Sequence, residues 1–374
     1  MKYRVKQAYP IYWLDPTTVR IGAQEGVTRQ FRDPEGQLRF LLGALDSCSS
    51  TDEVLSHVRS AFPNLDRAQV LHALEFLASQ GILENADLEP VGERFVVNQR
   101  FFSAAAHKPS EHDVQSLIRK SSVALLGLGG GGSAILPQLI SLGFGRIRGV
   151  DQDIVEESNL NRQFLFHESM VGESKALSAA KLAENMSAQT KFEAVHTRLN
   201  SVQDVLQVIG DVDVAICAID EPAFLIHRLV NAAAITAGVP VVYMLSQVTR
   251  GRVFSVRPNK DGCVDCLHIH YTKQDPNFFR QFDALMRTSI PGETAAISPH
   301  ILRLTSFAAD ECVRLVTDYA APLTCQTQYE IDYLSGASGP LLSWPRADEC
   351  PTCGTGDESD TESLAAYSIE PSRA

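Results

Sequence analysis

Residues 123–133 read Val-Ala-Leu-Leu-Gly-Leu-Gly-Gly-Gly-Gly-Ser, an apolar run that passes directly into a glycine-rich turn. A helical pattern follows over Ser133–Leu142. In a strand–turn–helix of this kind, glycines let the backbone turn tightly and approach a phosphate group, whose charge the amino terminus of the helix stabilises. The stretch therefore predicts a nucleotide site, with a purely structural glycine turn as the alternative. The glycines expected to contact the nucleotide are Gly127, Gly129, Gly130 and Gly132.

Strand-like runs alternate with helical patterns such as Lys175–Met186 through residues 121–335. The predicted strands are SVALLGLG, RIRGVDQ, FEAVHTRL, DVAICAID and PVVYMLSQV, followed by RGRVFSVRP. Such alternation is typical of α/β proteins with a doubly wound, mostly parallel sheet. We therefore expect a Rossmann-like α/β fold and a nucleotide-binding domain over residues 121–354. A connector over residues 91–120 precedes this domain, and a mobile acidic tail over residues 355–374 follows it.

Residues 1–90 predict a separate module. The stretch Tyr9–Phe31 is rich in β-forming residues and indicates two or three short strands; three helical patterns and a closing strand at Ile82-Leu83 follow. A short β-ribbon with three helices is a winged-helix-like pattern, which often binds DNA. The presumed third helix contains a single arginine, Arg67, whereas a recognition helix brings several basic or amide side chains to the groove. DNA binding is therefore disfavoured.

The composition excludes several classes of protein. The 374 residues suffice for two or three domains, and an apolar fraction of 44% supports a packed core. A net charge of −12 disfavours nucleic acids and anionic membranes as partners, because both are polyanions. The chain has neither a membrane-length apolar run nor a signal-peptide pattern, so we expect a cytoplasmic location. In that reducing compartment, the eight cysteines are not expected to form disulfides.

A second part of the nucleotide site follows the strand RIRGVD. Asp151 ends this strand at the distance from the glycine turn where a Rossmann acid accepts hydrogen bonds from ribose hydroxyls. Asp151 alone would suggest NAD and a dehydrogenase. The polar run that follows, with one arginine, instead fits a triphosphate, because a guanidinium is planar, always charged and suited to phosphate oxygens. The candidates in this run are Asp153, Ser158, Asn159, Asn161, Arg162 and Gln163.

Two further charged residues complete the predicted site. Lys175 follows Gly172-Glu-Ser at the start of a helical pattern and adds a second cation. Asp220 ends the strand DVAICAID, at the edge of the sheet where ligands bind in open α/β folds. A carboxylate there is suited to Mg²⁺, which typically takes one or two carboxylates plus phosphate oxygens. We therefore predict ATP and Mg²⁺ as ligands; a solvated surface charge is the alternative for any one residue.

The glycine turn, the D-x-D-x-V-x-x-S-N-L-N-R-Q run, the G-x-x-K motif and the strand-end aspartate together resemble the ThiF/ubiquitin-activating adenylating superfamily, over roughly residues 95–355. The roles that this resemblance implies are nucleotide contact for Gly130 and its neighbours, ribose binding for Asp151, phosphate binding for Asn161, Arg162 and Lys175, and Mg²⁺ binding for Asp220. It also implies a homodimer in which an upstream arginine reaches the partner subunit's ATP. Arg100 is the candidate for this catalytic arginine, with Arg94 as the alternative.

Residues 9–90 are similar to the PqqD-type recognition domain of enzymes that modify ribosomally made peptides. The similarity rests on the order of elements and on the pattern LLGALDSCSSTDEVLSHV…VLHALEFLASQGIL. In that family an exposed strand edge captures a leader peptide by β-augmentation. The resemblance implies a precursor peptide as partner and ATP-dependent activation of a peptide carboxylate, with a Glu side chain among the candidates, leading to intramolecular condensation. The alternatives are activation of the Gly-Gly terminus of a sulfur-carrier or ubiquitin-like protein, and a non-enzymatic module with a degenerate site.

Two C-x-x-C pairs, Cys263-Val-Asp-Cys266 and Cys350-Pro-Thr-Cys353, have the spacing of zinc knuckles. Together they predict a tetrahedral four-cysteine zinc site, which is structural because it leaves no open coordination position. A redox C-x-x-C or unrelated thiols are the alternatives.

The segment Tyr271–His300 is predicted as a long loop that leads to a helix from about Ile301 to Tyr319. A loop of this length is usually functional or disordered. Arg280 and Arg287 within it are candidates for pairing with acidic side chains of a substrate; exposed helix charges are the alternative.

Overall fold

The computed structural model describes residues 2–48, 50–88, 91–106, 113–221, 224–278, 280, 281, 284 and 294–356. The chain divides into two compact units, Met1–Leu117 and Ile118–Ala374, each with its own apolar core. Beyond residue 356, the predicted acidic tail lies outside the described residues.

The first unit contains a small antiparallel sheet and a set of helices. Its elements are β1 (Tyr3–Val5), β2 (Ile11–Asp15), β3 (Thr18–Ile21), β4 (Arg29–Arg32), α1 (Gln37–Ser47), α2 (Thr51–Ala61), α3 (Arg67–Ser79), β5 (Leu83–Asn85) and α4 (Val96–Ala105). Strands β2, β3 and β4 form one sheet in that order, and β1 pairs with β5. The predicted ribbon, three helices and closing strand are therefore present, the last of them as β5, whereas strand β1 and its pairing with β5 were not predicted.

Capping side chains fix where two helices of this unit begin. The Ser50 side chain accepts a hydrogen bond from the backbone N–H of Glu53 at the start of α2. Asp66 and Gln69 form a reciprocal capping box at the start of α3. Because these contacts satisfy amide groups that have no partner inside the helix, they set the boundary locally.

The second unit contains a single large sheet and the helices that connect its strands; α5 (Val114–Lys120) spans the boundary between the units. Its elements are β6 (Ser122–Leu126), α6 (Gly130–Leu142), β7 (Arg146–Val150), α7 (Lys175–Met186), β8 (Lys191–Val195), α8 (Val202–Ile209), β9 (Val214–Cys217), α9 (Leu225–Ala237), β10 (Val241–Ser246), β11 (Arg250–Val256), α10 (Val264–Gln274), α11 (Ser298–Thr317), β12 (Thr327–Asp332) and β13 (Ser338–Ser343).

The strand order of the large sheet is β13-β12-β11-β10-β9-β6-β7-β8. The five strands from β10 to β8 run parallel, and β11, β12 and β13 add antiparallel neighbours at one side. The expected α/β fold with a mostly parallel sheet is therefore confirmed. From β6 the chain builds β7 and β8 on one side and then β9 and β10 on the other. This reversal between β6 and β9 is a topological switch point, and its carboxyl-terminal edge is where open α/β sheets bind ligands.

The predicted loop Tyr271–His300 is wrong at its start, because Tyr271–Gln274 is the last turn of α10. This helix begins at Val264, directly after Cys263, so the residues that follow the first C-x-x-C pair continue as a helix up to Gln274. Arg280 is exposed, and Arg287 lies outside the described residues. In the part of the chain that the structure describes, no helix combines the length and the apolar character needed to cross a bilayer.

Candidate functional site

The glycine turn between β6 and α6 leaves no room for side chains at two positions. Gly127 has a positive φ of 92°, and a Cβ there would lie 2.9 Å from the carbonyl oxygen of Ala218. A Cβ at Gly132 would lie 1.8 Å from the carbonyl oxygen of Gly127. The first glycine therefore allows the turn, and the second lets α6 lie directly against it, as in dinucleotide-binding folds.

The amino terminus of α6 is open to an anion. Gly129 occupies the N-cap position, and no cap side chain bonds to the first amide groups of the helix. A Cβ added at Gly130 would first meet Arg162 Cδ, at 3.9 Å. Because the first amides of a helix have no partner within it, this terminus is suited to bind phosphate.

A cavity of about 910 Å³ lies at the carboxyl-terminal edge of the parallel strands. Its volume falls in the range of small-molecule and cofactor sites. Ten of the thirteen residues predicted to bind the nucleotide line it, namely Gly127, Gly129, Gly130, Asp151, Asp153, Asn159, Arg162, Gln163, Lys175 and Asp220. The other three, Gly132, Ser158 and Asn161, lie outside its lining. The fold thus brings most of the predicted set together, while the role of each residue stays a prediction.

The carboxylate of Asp151 is tied to the glycine turn. Its Oδ2 accepts a hydrogen bond from the backbone N–H of Leu128 at 2.7 Å, and its Oδ1 accepts one from the N–H of Asp153 at 2.8 Å. Burial raises the pKa of Asp151, and the two backbone hydrogen bonds oppose that shift. Each carboxylate oxygen keeps a further lone pair, so the group is still able to accept hydrogen bonds from ribose hydroxyls.

Two cations face the cavity, each held by a neighbour. The Nζ atom of Lys175 lies 3.1 Å from Oδ2 of Asp153. The guanidinium of Arg162 donates to the carbonyl oxygen of Ser158 and to Oδ1 of Asn161, both at 2.9 Å. Ser158 and Asn161, which lie outside the lining, therefore contact a cation that is part of it.

Gln163 is buried beside these cations, with 3% of its surface exposed. Within the described residues, its Oε1 atom accepts no hydrogen bond. A buried acceptor without a donor is costly, so a bound molecule that donates to it would be stabilised.

The segment that carries Asp220 is held by a helix behind it. Strand β9 ends at Cys217, and Ala218, Ile219 and Asp220 continue along the cavity wall. His227 on α9 is partly buried, with its Nε2 atom shielded from solvent, and its ring forms a hydrogen bond with the backbone of Ile219. Burial lowers the pKa of His227 to about 4, so its imidazole is neutral at pH 7.

The cavity also includes residues that the sequence interpretation missed. Thr197 and Arg198 follow β8, Gln247 follows β10, and Thr294–Ala296 precede α11. A usable signal existed for Thr197, Arg198 and Gln247, because they lie near the carboxyl ends of the predicted strands FEAVHTRL and PVVYMLSQV, and such ends meet at one edge of a parallel sheet. The residues before α11 carry no comparable sequence signal.

The two candidate trans-acting arginines lie in the first unit. Arg100 Nε donates to Oε1 of Gln7 at 3.2 Å, and the Arg94 guanidinium lies 5.8 Å from the ring centre of Phe95. Both contacts lie within the first unit, and a role for either arginine across a dimer stays a prediction.

The four cysteines of the two C-x-x-C pairs form one buried cluster. The Sγ atoms of Cys263 and Cys350 are 3.5 Å apart, those of Cys266 and Cys353 are 3.4 Å apart, and those of Cys263 and Cys266 are 3.9 Å apart. A tetrahedral zinc with Zn–S bonds of about 2.3 Å places its sulfur atoms about 3.8 Å apart. The cluster therefore fits a structural zinc ion.

Cys263 also occupies the N-cap of α10, which is the setting expected of a redox C-x-x-C. The second pair distinguishes the two alternatives, because a redox pair has no need of two further cysteines at ligand distance. All four thiols are free, and all four Sγ atoms lie within 4.8 Å of one another. This arrangement favours the metal.

Solved structures share this fold. A crystal structure of Escherichia coli MccB with ATP has a TM-score of 0.73 and 18% identity, covering 95% of this chain and 100% of that chain. The microcin C7 biosynthetic enzyme MccB in complex with N-formylated MccA has a TM-score of 0.74 and 19% identity over the same shares.

Two curated proteins are similar in sequence over shorter stretches. The sulfur carrier protein adenylyltransferase of Thermus thermophilus is 37% identical over 34% of this chain and 46% of its own length. The sulfur carrier protein ThiS adenylyltransferase of Bacillus subtilis is 26% identical over 65% of this chain and 68% of its own length. The match to the Thermus protein thus spans less than half of that relative.

A family pattern described as the ThiF family covers residues 103–352, which is more than half of the chain. The match includes the glycine turn, the cavity and three of the four clustered cysteines, and the chain belongs to the ThiF family.

Proposed function

We propose that this protein activates a carboxylate of a ribosomally made precursor peptide by transferring AMP to it from Mg·ATP. The observation that carries the proposal is the cavity at the switch point, which joins the glycine turn with Asp151, Arg162, Lys175 and Asp220. The open amino terminus of α6 and two cations are suited to phosphates, and a strand-end carboxylate is suited to Mg²⁺.

In the proposed reaction, a carboxylate oxygen of the peptide attacks the α-phosphorus of ATP. A new O–P bond forms, and the bond from the α-phosphorus to the bridging oxygen breaks. Pyrophosphate leaves with that electron pair, and the peptide becomes an acyl-adenylate. Arg162 and Lys175 stabilise the negative charge that develops on the phosphate oxygens, and Asp220 binds the Mg²⁺ that accompanies them. In a second step an internal nucleophile of the peptide displaces AMP and closes a ring; a Glu side chain is one candidate for the activated group.

The cysteine nearest to Asp220 in sequence is not suited to take the acyl group. Cys217 is fully buried, and burial raises its pKa to about 12. Because a thiolate is the nucleophilic form of cysteine, Cys217 is inert at pH 7. The proposal therefore needs no thioester on this residue.

A peptide substrate is supported by the first unit. Its sheet ends in two edge strands, β2 and β4, and an edge strand is able to pair with an extended peptide. Solved MccB structures contain MccA, in one case as MccA-N7isoASN and in another as N-formylated MccA. We infer that a leader segment binds the first unit and raises the local concentration of the core peptide at the cavity.

Activation of a sulfur-carrier protein is the second candidate. The Bacillus subtilis relative that is 26% identical over 65% of this chain is a sulfur carrier protein ThiS adenylyltransferase. In that case the nucleotide chemistry would be unchanged, and the acceptor would be a folded protein that ends in Gly-Gly.

The family resemblance also suggests a homodimer and a bound zinc ion. A homodimer would allow Arg100, or alternatively Arg94, to reach the partner subunit's ATP. Zinc held by the four clustered cysteines would link the start of α10 to the carboxyl-terminal part of the chain. This zinc would be structural and would take no part in the chemistry. We expect the protein to act in the cytoplasm.

ATP–pyrophosphate exchange distinguishes the two substrates. The purified protein is incubated with Mg·ATP, labelled pyrophosphate and either a candidate precursor peptide or a Gly-Gly carrier protein. The proposal predicts exchange with the peptide and none with the carrier. Exchange with the carrier alone would favour activation of a sulfur-carrier protein instead. If the peptide supports exchange, a change in its mass would identify the product.

A further inference from the structure

Helix α9 carries an arginine that is completely buried. The side chains of Arg228 and Asp265 are both 0% exposed, and Arg228 Nε lies 2.8 Å from Asp265 Oδ1. A second guanidinium nitrogen of Arg228 donates to Asp265 Oδ2 at 3.3 Å. Removing both charges from water is costly, so the burial of this ion pair needs a structural explanation.

The explanation lies in the position of Asp265 between Cys263 and Cys266, in the first C-x-x-C pair. A divalent zinc with four thiolates carries a net charge of about −2. The carboxylate of Asp265 beside this centre would add to the negative charge. The guanidinium of Arg228 offsets it and has the planar geometry that a carboxylate accepts in two places.

Hydrogen bonds extend this pair to both halves of the cysteine cluster. Oδ2 of Asp265 also accepts a hydrogen bond from the hydroxyl of Thr352, which lies between Cys350 and Cys353. One turn further along α9, Oδ1 of the buried Asn231 accepts a hydrogen bond from the backbone N–H of Val264 at 3.1 Å. The residues inside both C-x-x-C pairs are therefore linked through Asp265, and α9 holds the first pair by two contacts.

We propose that Arg228 is a positioning residue for the four-cysteine metal centre, acting through Asp265. It does not ligate the metal. It fixes Asp265, which in turn holds the two C-x-x-C segments in the arrangement that binds zinc, and it balances the charge of the occupied centre. Groups that orient ligands in this way typically change metal affinity by about 10- to 100-fold when they are removed.

Zinc release from the full-length, zinc-loaded protein tests this role. Release into an excess of a colorimetric chelator is followed for the wild type, Arg228→Met, Asp265→Asn and the double variant. We expect each single variant to release zinc about tenfold faster or more. The double variant is expected to be less impaired than the product of the two single effects, because it leaves no unpaired buried charge.

A matched control uses another arginine that pairs with a fully buried carboxylate. Arg314 Nε lies 3.3 Å from Glu311 Oε1, and Glu311 is 0% exposed. Arg314→Met is expected to lower the free energy of unfolding and to leave the rate of zinc release unchanged. This outcome would separate loss of stability from loss of metal positioning.

If Arg228→Met does not fold, Arg228→Lys carries the test. A lysine keeps the charge and loses the two-point contact, so we expect zinc release at a rate between those of the wild type and Asp265→Asn. Folded Arg228 variants that release zinc at the wild-type rate would overturn the proposal. Equal acceleration by Arg314→Met would also overturn it.

Discussion

The Nζ atom of Lys175 lies 3.1 Å from Oδ2 of Asp153, and the two side chains differ sharply in exposure. The lysine side chain is 6% exposed, whereas the aspartate side chain is 57% exposed. The cation is thus buried in the cavity wall, at the first residue of α7, and its carboxylate partner faces solvent. A phosphate that enters the cavity would contact the positioned ammonium group of Lys175. The exposed carboxylate of Asp153, its present partner, has room to move into solvent.

We expect Lys175→Met to weaken Mg·ATP binding about tenfold or more, because a charge-assisted hydrogen bond contributes about 1.5–3 kcal/mol. Isothermal titration with a non-hydrolysable ATP analogue measures the change. Lys181 lies on the same helix and pairs with Glu173 on the surface, so Lys181→Met is the matched control and should bind as the wild type does. Equal affinities for all three proteins would remove Lys175 from the phosphate site.

The glycine turn gives a prediction about stability. A Cβ at Gly132 would lie 1.8 Å from the carbonyl oxygen of Gly127, whereas one at Gly130 would meet nothing nearer than 3.9 Å. We expect Gly132→Ala to lower the free energy of unfolding by at least about 2 kcal/mol, because backbone must shift to admit the methyl group. Gly130→Ala should change the free energy of unfolding little, and urea unfolding of both variants checks the contrast. A tolerated Gly132→Ala would show that α6 does not lie against the turn as closely as described.

His227 makes the stability of the protein depend on pH. Burial holds its pKa at about 4 in the folded protein, against an ordinary value of about 6.5 in the unfolded chain. Between these values the unfolded chain binds more protons, so the free energy of unfolding falls as the pH is lowered from about 6.5 to about 4. The loss attributable to His227 amounts to about 3 kcal/mol when complete.

Unfolding of wild type and His227→Gln at several pH values measures this contribution. The ring of Tyr243 and the buried His268 face His227, and His268 also has a pKa lowered by burial. The variant should therefore keep part of the pH dependence, and exposed His167 provides the control variant His167→Gln, which should keep all of it. An identical pH dependence for His227→Gln and the wild type would contradict the assignment.

Peptide capture by the first unit predicts a local change in hydrogen exchange. Strands β2 and β4 are the edges of the small sheet, and β3 lies between them. On adding the precursor peptide, we expect slower exchange of amides in Ile11–Asp15 or in Arg29–Arg32, because a peptide that pairs with an edge protects its N–H groups. Amides of Thr18–Ile21 already have neighbours on both sides and serve as the internal control. Peptide-dependent activity without protection at either edge would exclude β-augmentation there.

Much of the candidate nucleotide site could be predicted because its chemistry is local. The glycine turn requires particular residues at fixed spacing, and Asp151 and Asp220 each end a recognisable apolar strand. Parallel strands bring their carboxyl ends to one edge of the sheet. Residues at these ends therefore lie close together, independently of the rest of the fold. The cysteine pairs were predictable for the same reason, because ligand spacing within each C-x-x-C is local.

Features that depend on distant contacts were missed. Arg228 and Asp265 lie 37 positions apart, and neither stands out in the sequence as buried. Strands β12 and β13 extend the sheet after the last predicted helix, and Thr294–Ala296 reach the cavity only because α11 packs behind it. Gly132 belongs to the predicted motif but does not line the cavity. Only the structure shows that it allows α6 to pack against the glycine turn.

The most direct test of the central claim follows the α-phosphate of ATP. The protein is incubated with its precursor peptide, Mg²⁺ and ATP that is labelled at the α-phosphorus, and the products are separated. The account predicts that the label appears in AMP or in an AMP-bearing peptide, with one pyrophosphate for each, and that Asp220→Ala abolishes both. Peptide-dependent formation of labelled ADP in place of AMP would show that ATP is cleaved between the β- and γ-phosphates and would contradict adenylation.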